Sequence, residues 1–411
     1  MRLGYGTGGV DFQSRVDHGS LRKQRLARLQ AELRADGLPA ALVTRPENIR
    51  YATGLRGPVF TPQLRYALVL AEAEPIVFEM GDMLATQRAH AEWIPADNWR
   101  SAVSVLDGIG GAEGSASEAR RFAAGVAEEL RARGLLDEPI GVDALDEYSR
   151  AALSSMVGKL EPLKQTMVRA RTIKTPQEVR CIRLAIDIAN VGYAAVLDSL
   201  KPGVRESDVG AAVHGAMIEA GAENTGGRVR SGPHTYPLYH IGNTDRRIEP
   251  GDLVQLNTCS TSFNGYKNCL YRNYICGRRP NTQEAGWATS ANDRVQAVIS
   301  EIRPGATTAD AARHLARASE RGYSDEQALL AAELGHGYGM GYDPPLISRS
   351  FSLDHPQVFE AGMVIAVECI DGESGKGGIR IEEMVLVTDS GTEQMSRWPS
   401  EEVTPVATYW G

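Results

Sequence analysis

The sequence predicts two domains. An α/β domain over residues 1–165 is followed by an α+β domain over residues 166–411, built from two similar halves related by a pseudo-twofold axis. The chain has 411 residues, more than one hydrophobic core usually organises. Short apolar strands alternate with amphipathic helices in the first part, and one series of helix and strand signals occurs twice in the second part. These three observations carry the prediction.

Hydrophobic spacing places the elements of the first domain. Leucines at helical intervals predict a helix over 21–36, and "AALVT" (40–44) predicts a short buried strand. Two apolar runs around a polar turn in "YALVLAEAEPIVFE" (66–79) predict a hairpin. The glycine-rich stretch "GIGGAEGSAS" (108–117) predicts a loop. The remaining signals are helices near 82–92, 117–134 and 145–157 and a strand at "PIGVDA".

A helix start signal opens the second domain. In "TPQE" (175–178), a capping threonine precedes a proline at the first helical position, and a glutamate follows three residues after the cap. We expect this helix to continue to about Leu200.

The second domain repeats two segment types in the same order. "KPGVRESDVGAAVHGAMIEAG" (201–221) and "RPGATTADAARHLARASERG" (303–322) share Pro-Gly, an aspartate six residues after the proline, and an amphipathic helix pattern. "EPGDLVQLN" (249–257) parallels "EAGMVIAVE" (360–368). An ordered set of parallels predicts a duplicated fold.

Strand hairpins are predicted after both repeats, over 266–276 and 379–387. In a duplicated domain the two hairpins meet near the pseudo-twofold axis. Four side chains are then expected to converge on one site: Asn257, Cys269, Glu368 and Glu382.

Composition limits which binding partners and which cellular location are expected. The net charge is −8 and the pI is near 5.6, which argues against a nucleic-acid partner or an anionic membrane surface. No apolar run approaches the ~20 residues that a spanning helix needs, and the polar N-terminal stretch does not resemble a secretory signal. The five cysteines show no C-x-x-C spacing. We therefore expect a cytoplasmic protein with reduced thiols, a small-molecule substrate and no nucleic-acid or membrane partner.

Several motifs together resemble the pita-bread superfamily of creatinase, prolidase, aminopeptidase P and methionine aminopeptidase. The resemblance covers essentially the whole chain. It implies a creatinase-like N-terminal α/β domain, a pita-bread catalytic domain and a homodimer. The motifs that carry it are "NIRYATG" (48–54), "RTIKTPQEVRCIRLA" (171–185), "SGPHTYPLYHIGNTDRRIEPGD" (231–252), "GHGYG" (335–339), "AGMVIAVE" (361–368) and "IRIEEMVLVT" (379–388).

Peptidases of this superfamily hold two divalent metal ions with two aspartates, a histidine and two glutamates. By motif, those positions here are Asn257, Cys269, His336, Glu368 and Glu382, so three match and two do not. Hard divalent ions are held by anionic oxygens, and two ions close together need several carboxylates. Asparagine is neutral, and cysteine binds metal only after losing its proton. We therefore expect no dinuclear site and no cofactor.

In this loss of metal ligands, the sequence resembles creatinase and ectoine hydrolase, the metal-independent members of the superfamily. The resemblance implies a metal-independent hydrolase of a C–N bond in a small polar amidine, guanidine, cyclic amidine or amide. His240, upstream of "GD" (251–252), matches the superfamily's catalytic histidine, and an imidazole can take a proton from water and return it to the leaving nitrogen. The predicted catalytic residues are His240, Glu368 and Glu382.

A second set of residues is predicted to hold the substrate. Creatinase has a glutamate where Tyr271 stands, and the peptidases have a second histidine where Asp343 stands. Arg272 could bind a substrate carboxylate, and Arg65 would reach the partner's site in a creatinase-like dimer. The predicted substrate-binding residues are His336, Arg272, Tyr271, Asn257, Cys269 and Arg65.

Two other functions are compatible with these motifs. One is a metal-dependent Xaa-Pro dipeptidase-like hydrolase, or a lyase, that retains a single ion on Cys269, His336, Glu368 and Glu382. The other is a binding module without catalysis. Simpler roles exist for individual residues as well: Cys269 as an inert core thiol, His336 as a turn residue, and Arg272 as the partner of a carboxylate between the domains.

Overall fold

The computed structural model describes residues 15–56, 65–104, 108–237 and 241–408. The predicted catalytic residue His240 therefore lies outside the described residues. The chain divides into two compact units, with the boundary between Arg171 and Thr172. The predicted fold class, an α/β unit followed by a pita-bread unit, is confirmed.

The N-terminal unit is a mixed six-stranded sheet with the strand order β4-β3-β2-β1-β5-β6. The first helix buries Leu21, Leu29 and Leu33, as its leucine spacing predicts. The elements are α1 (His18–Ala35), β1 (Ala40–Val43), α2 (Pro46–Thr53), β2 (Tyr66–Leu70), β3 (Ala73–Glu79), α3 (Gly81–His90), β4 (Trp99–Ser101), α4 (Gly111–Arg131), β5 (Ile140–Val142), α5 (Glu147–Ser154), β6 (Leu160–Pro162) and α6 (Lys164–Thr172).

The loop predicted over 108–117 is mostly wrong, because α4 begins at Gly111. The segment contains Ala112 and Glu113, which favour a helix, and Ser115 is buried beneath the first turns. Burial along the rest of α4, for example at Phe122 and Val126, stabilises the helix, which extends N-terminally through Gly114 to Gly111.

The C-terminal unit has a sheet of nine strands with the principal order β13-β12-β14-β15-β11-β8-β7. Strand β16 pairs with β15, and β17 pairs with β11. The elements are α7 (Pro176–Ser199), α8 (Glu206–Glu219), β7 (Arg228–Ser231), β8 (Leu253–Asn257), β9 (Ser262–Phe263), β10 (Tyr266–Lys267), β11 (Tyr271–Cys276), α9 (Thr282–Glu301), α10 (Thr308–Ala312), β12 (Leu334–Tyr338), β13 (Tyr342–Ile347), β14 (Val364–Glu373), β15 (Gly377–Val387), β16 (Thr392–Gln394) and β17 (Thr404–Val406).

Two repeat-derived predictions differ in detail from the structure. The helix predicted within 303–322 is confined to α10, because the Glu333 carboxylate accepts the Ala316 backbone N–H at 3.3 Å in place of a helical carbonyl. The hairpin predicted over 266–276 is divided, because β10 pairs with β9 and only β11 joins the main sheet. Cys269 consequently lies between strands.

Helices cover one face of this sheet. Val295 and Val298 of α9 share the principal core with Ile381 and Val385 of β15. Since alternate strand residues point to opposite faces, Glu382 points away from the α9 layer. Among the described residues, no helix has the length and apolar character needed to cross a bilayer.

Candidate active site

A row of side chains crosses the face of the sheet opposite α9. Strand register pairs Glu368 with Glu382, Glu382 with Tyr271, and Tyr271 with Asn257. Directly opposed residues in an antiparallel sheet share a face, so these four side chains form one line across four strands. Three of the four side chains that the duplicated pattern predicts to converge therefore lie in this row, with Tyr271 among them, and the fourth, Cys269, lies beside Glu382.

Two thiols lie beside Glu382. Cys269 Sγ is 2.8 Å from Cys259 Sγ, and Cys259 Sγ is 3.2 Å from Glu382 Oε2. Cys259 reaches this position because Asn257 Oδ1 accepts the Cys259 backbone N–H at 2.6 Å and turns the chain at the end of β8. The asparagine thus folds a second sulfur donor into the site.

The imidazole of His336 lies on the other side of Glu382. His336 Nε2 is 3.7 Å from Glu382 Oε1, which is beyond hydrogen-bond length. Glu382 Oε1 is buried and has no hydrogen-bond partner among the residues described. The rings of Tyr338 and Tyr342 meet the imidazole edge-on, with centroids 5.2 and 4.6 Å away.

Arg380 lies beside the row, two residues before Glu382 on β15. Its Nε donates to Glu368 Oε2 at 2.9 Å, its Nη2 contacts the same oxygen, and its Cζ lies 4.4 Å from the centre of the Tyr271 ring. Both side chains of the ion pair are buried. Glu368, one of the predicted metal-ligand positions, is therefore already neutralised by a guanidinium.

Burial and neighbouring charges shift the ionisation of the cluster. Burial raises the pKa of Glu368 to about 7, and Arg380 acts in the opposite sense. Burial also favours neutral Glu382, but His336 and Arg380 hold the pKa of that carboxyl below its usual value. For His336, burial disfavours the charged form, while Glu382 and Glu368 raise its pKa. The proximity of Glu382 and His336 therefore favours the carboxylate form of the first and the imidazolium form of the second.

The thiols behave differently. Burial raises the pKa of Cys259 to about 11 and that of Cys269 well above the ordinary thiol value, with Glu382 adding to the effect. Without a cation, both sulfurs carry protons at neutral pH. A bound metal ion would release those protons, because the thiolate is the ligand form.

Three predicted site residues have other partners. Arg272 points to the opposite face from Tyr271, where its Nη2 donates to Glu383 Oε1 at 2.7 Å and to Ser396 Oγ at 2.6 Å. Arg65 belongs to the N-terminal unit and forms a buried ion pair with Glu79 at 2.5 Å. Asn257 holds the turn at Cys259, as described above. The structure therefore does not bring Arg272 into the cluster.

Sequence reasoning missed Cys259, Arg380 and Arg230, the last of which donates from Nη1 to the Tyr271 hydroxyl at 3.4 Å. Strand alternation offered a signal for Arg380, because it lies two residues before Glu382 and shares its face. Cys259 and Arg230 carried no such signal, since the turn at Asn257 and the pairing of β7 decide their positions.

The donor atoms fit one metal ion better than two. Cys259, Cys269 and Glu382 form one group, and His336, Glu368 and Glu382 form another, with the ligand atoms of each group within 4.8 Å of one another. Arg380 already neutralises Glu368, and Asn257 is neutral. The remaining set of two sulfurs, one imidazole and one carboxylate with an unpartnered oxygen matches a borderline-soft ion such as Zn²⁺.

Comparisons with known proteins identify relatives of both units. The model of metallopeptidase family M24 matches residues 180–389, and that of the creatinase/prolidase N-terminal domain matches residues 25–151. An Xaa-Pro dipeptidase of Pyrococcus furiosus is 28% identical over 272 residues, covering 64% of this chain and 75% of the relative. The probable dipeptidase PepE of Mycobacterium tuberculosis is 27% identical over 391 residues, covering 92% of this chain and 95% of the relative. The superfamily predicted from the motifs is confirmed.

A solved structure shows the same fold along nearly the whole chain. The Xaa-Pro dipeptidase from Bacillus anthracis superposes with a TM-score of 0.74 at 20% identity, covering 94% of this chain and all of the other.

These relatives correct the predicted function. Metal-independent hydrolysis of a non-peptide C–N bond is wrong, because the matching relatives are named dipeptidases and the matching family is one of metallopeptidases. They support the other function weighed from the sequence, a dipeptidase-like hydrolase with a retained metal ion. The prediction considered potential ligands by motif position alone, and Cys259, whose Sγ lies 3.2 Å from Glu382 Oε2, is a further potential donor that the motifs do not include.

Proposed function

The chain belongs to metallopeptidase family M24 and is a hydrolase, and on that premise we propose that it cleaves the peptide bond of dipeptide-sized substrates with one bound divalent metal ion. One observation carries the proposal: sulfur and imidazole donors lie on either side of Glu382, a buried carboxylate with an oxygen unpartnered among the described residues. Relatives named dipeptidases, one of them matched over 95% of its length, support the choice of a peptide substrate.

Four residues would hold the ion: Glu382, His336, Cys259 and Cys269. When bound, a divalent ion supplies a Lewis acid for the scissile carbonyl. The two thiols and the imidazole can each release a proton as the ion binds, which keeps the buried charge small.

The other residues of the row would position substrate and water. Arg380 fixes the carboxylate of Glu368 through Nε and Nη2, and this leaves Glu368 Oε1 as an acceptor for a water hydrogen. The buried Tyr271 ring forms the floor between Glu382 and Asn257. His240 keeps its proposed role as general acid and base. That role rests on its position in the sequence motif, since His240 lies outside the described residues.

The test combines metal content with turnover. We expect the purified protein to bind about one equivalent of Zn²⁺ or a similar ion, and to hydrolyse one or more members of a dipeptide panel that includes Xaa-Pro compounds, with loss of activity after chelation. His336→Ala and Cys269→Ser should each lower both metal affinity and kcat/KM by roughly 100-fold or more, because even indirect partners of metal ligands change these quantities 10- to 100-fold.

Cys276→Ser is the matched control, since Cys276 is also a buried cysteine but lies at the end of β11 outside the cluster. It should keep metal and activity. Dipeptide hydrolysis that survives complete metal removal, or a panel from which nothing is cleaved by the metal-loaded protein, would contradict the proposal.

A further inference from the structure

A second buried arginine lies on the site face of the sheet. Arg230 is 1% exposed, and strand register pairs it with Gln255, which in turn pairs with Asn273. Its Nη1 donates to the Tyr271 hydroxyl at 3.4 Å, and its Cζ lies 5.7 Å from the centre of the Tyr271 ring. Arg230 therefore contacts the same aromatic ring as Arg380 does, within the row that contains Glu382.

Arg230 differs in its partners from three other buried arginines. Arg272, Arg380 and Arg65 each form an ion pair with a buried glutamate. For Arg230, the hydrogen bonds among the described residues go to a neutral hydroxyl and to the Ile241 carbonyl at 3.3 Å. No carboxylate in the described part of the chain neutralises it, and its Nη2 atom is buried without a partner there.

Burying a guanidinium without a counter-ion raises the free energy of the folded state, because only an anion and a full set of hydrogen bonds offset the loss of hydration. Proteins tolerate such a group where a ligand completes it. The unpartnered Nη2 and the neighbouring Tyr271 hydroxyl, which accepts from Nη1 and keeps its own proton to donate, offer two hydrogen-bond donors to a carboxylate.

We propose that Arg230 and the Tyr271 hydroxyl bind a carboxylate of the substrate, the C-terminal carboxylate of a dipeptide. The identity of the substrate rests on the proposed function, whereas carboxylate binding by Arg230 does not. This role falls to Arg230 and not to Arg272, because Glu383 already satisfies the guanidinium of Arg272.

Such a subsite would make the protein selective for short acids. A substrate without a free carboxylate would leave the Arg230 charge buried and unpaired. We therefore expect kcat/KM to be much lower for a dipeptide amide than for the dipeptide acid. This subsite would also restrict substrate length, because the C-terminal carboxylate must lie at Arg230 and Tyr271 while the bond to be cleaved lies at the metal site.

Two variants and one control test this inference. Arg230→Gln and Arg230→Met remove the charge, while Arg228→Gln changes an exposed arginine two residues earlier on the same strand. In the metal-loaded protein, we expect both Arg230 variants to raise KM for a cleaved dipeptide by roughly tenfold or more. KM for the C-terminal amide of that dipeptide should change little. The ratio of kcat/KM between acid and amide should therefore collapse in the Arg230 variants and persist in Arg228→Gln.

A binding measurement needs no turnover. Calorimetric titration with L-proline and with prolinamide should show carboxylate-dependent binding in the unmodified protein and in Arg228→Gln, and its loss in both Arg230 variants. Binding of proline with no dipeptide cleavage would refute the proposed function and leave the subsite intact. Equal binding of proline by Arg230→Gln, or an unchanged acid-to-amide ratio, would overturn the subsite even in an active dipeptidase.

Melting temperature separates binding from a structural role. Because Arg230 lacks a counter-ion in the described chain, Arg230→Met should melt no lower than the unmodified protein. A marked fall in melting temperature for Arg230→Met would show that the guanidinium supports the fold, and would contradict the inference.

Discussion

Individual residues in this protein take their roles from their immediate partners. Arg230 and Arg272 are both buried arginines of the C-terminal sheet, yet Glu383 neutralises only the second. Cys259 and Cys269 similarly differ from the other cysteines because Glu382 lies beside them. Residue type alone therefore does not tell whether a side chain supports the fold or belongs to the candidate site. The charges and hydrogen-bond partners around the side chain distinguish the two roles.

The Arg272–Glu383 pair predicts a large stability effect. Arg272→Met leaves a buried carboxylate without its cation, and we expect the free energy of unfolding to fall by about 3–5 kcal/mol. The double variant Arg272→Met/Glu383→Leu should recover much of this loss, since it removes both charges. Urea unfolding followed by circular dichroism measures the difference.

An exposed arginine–glutamate pair provides the comparison. Arg183 bonds to Glu393 at 2.8 Å, with side chains 35% and 48% exposed. Arg183→Met should cost about 0–1 kcal/mol, because solvent screens such pairs. Similar losses for Arg183→Met and Arg272→Met would show that the burial of the second pair does not govern its contribution.

At the scale of elements, local signals set helix ends and tertiary contacts modify them. The cap predicted at "TPQE" is present: Thr175 Oγ1 accepts the Glu178 N–H at 3.2 Å, and Glu178 Oε2 accepts the Thr175 N–H at 2.8 Å. Both ends of this capping box are buried, and Glu178 also accepts the Tyr266 hydroxyl at 2.8 Å. Where a distant carboxylate competes, as Glu333 does at Ala316, the helix stops early.

Removing this cap should destabilise the C-terminal unit. Thr175→Ala leaves a buried N–H at the start of α7 unsatisfied, and we expect a loss of about 1–2 kcal/mol in unfolding free energy. Thr289→Ala is the control, because Thr289 is an exposed residue within α9. Its replacement should be neutral or slightly stabilising, since alanine favours helix interiors. A neutral Thr175→Ala would mean that α7 is held by packing alone.

On the scale of the whole molecule, each unit has its own core and its own buried ion pairs. The N-terminal core centres on residues such as Leu42, Leu68 and Phe122, and the C-terminal core on Val298 and Ile381. With a net charge of −8, the pairing of carboxylates governs the response of both units to acid.

Glu129 in α4 predicts one part of that response. Burial opposes its ionisation, but Arg100 and Arg133 hold its pKa below the ordinary value of 4.5. A carboxyl whose pKa is lower in the folded state stabilises fully above pH 4.5, and this contribution is lost as pH falls through the folded-state pKa. The stability difference between the unmodified protein and Glu129→Gln should therefore be largest above that pH and shrink below it.

Urea midpoints measured between pH 3 and pH 7 test this. Glu128→Gln controls for the loss of one negative charge, since Glu128 is exposed one residue earlier on the same helix. If the difference for Glu129→Gln grew as the pH fell, the ion pairs with Arg100 and Arg133 would not be the cause.

The sequence by itself determined the fold class and the convergence of a few side chains on one face of the C-terminal sheet. Strand and helix periodicities are local, and a duplicated order of motifs requires the two halves to face each other. The convergence of Glu368, Glu382 and Cys269 follows from these regularities, as their register and contacts show. His336 joins them because β12 pairs with β14.

Only the tertiary structure decided which of these groups are still free to act. Cross-strand register decides which side chains an arginine contacts. Whether its charge is neutralised depends on whether another strand places a carboxylate beside it. Register placed Arg272 against Glu383, Arg380 against Glu368, and Arg230 beside a neutral tyrosine. The turn at Asn257 brought Cys259 Sγ to the atoms that are proposed to hold a metal ion. Electrostatic compensation is a property of neighbours in space, and the order of residues along the chain does not contain it.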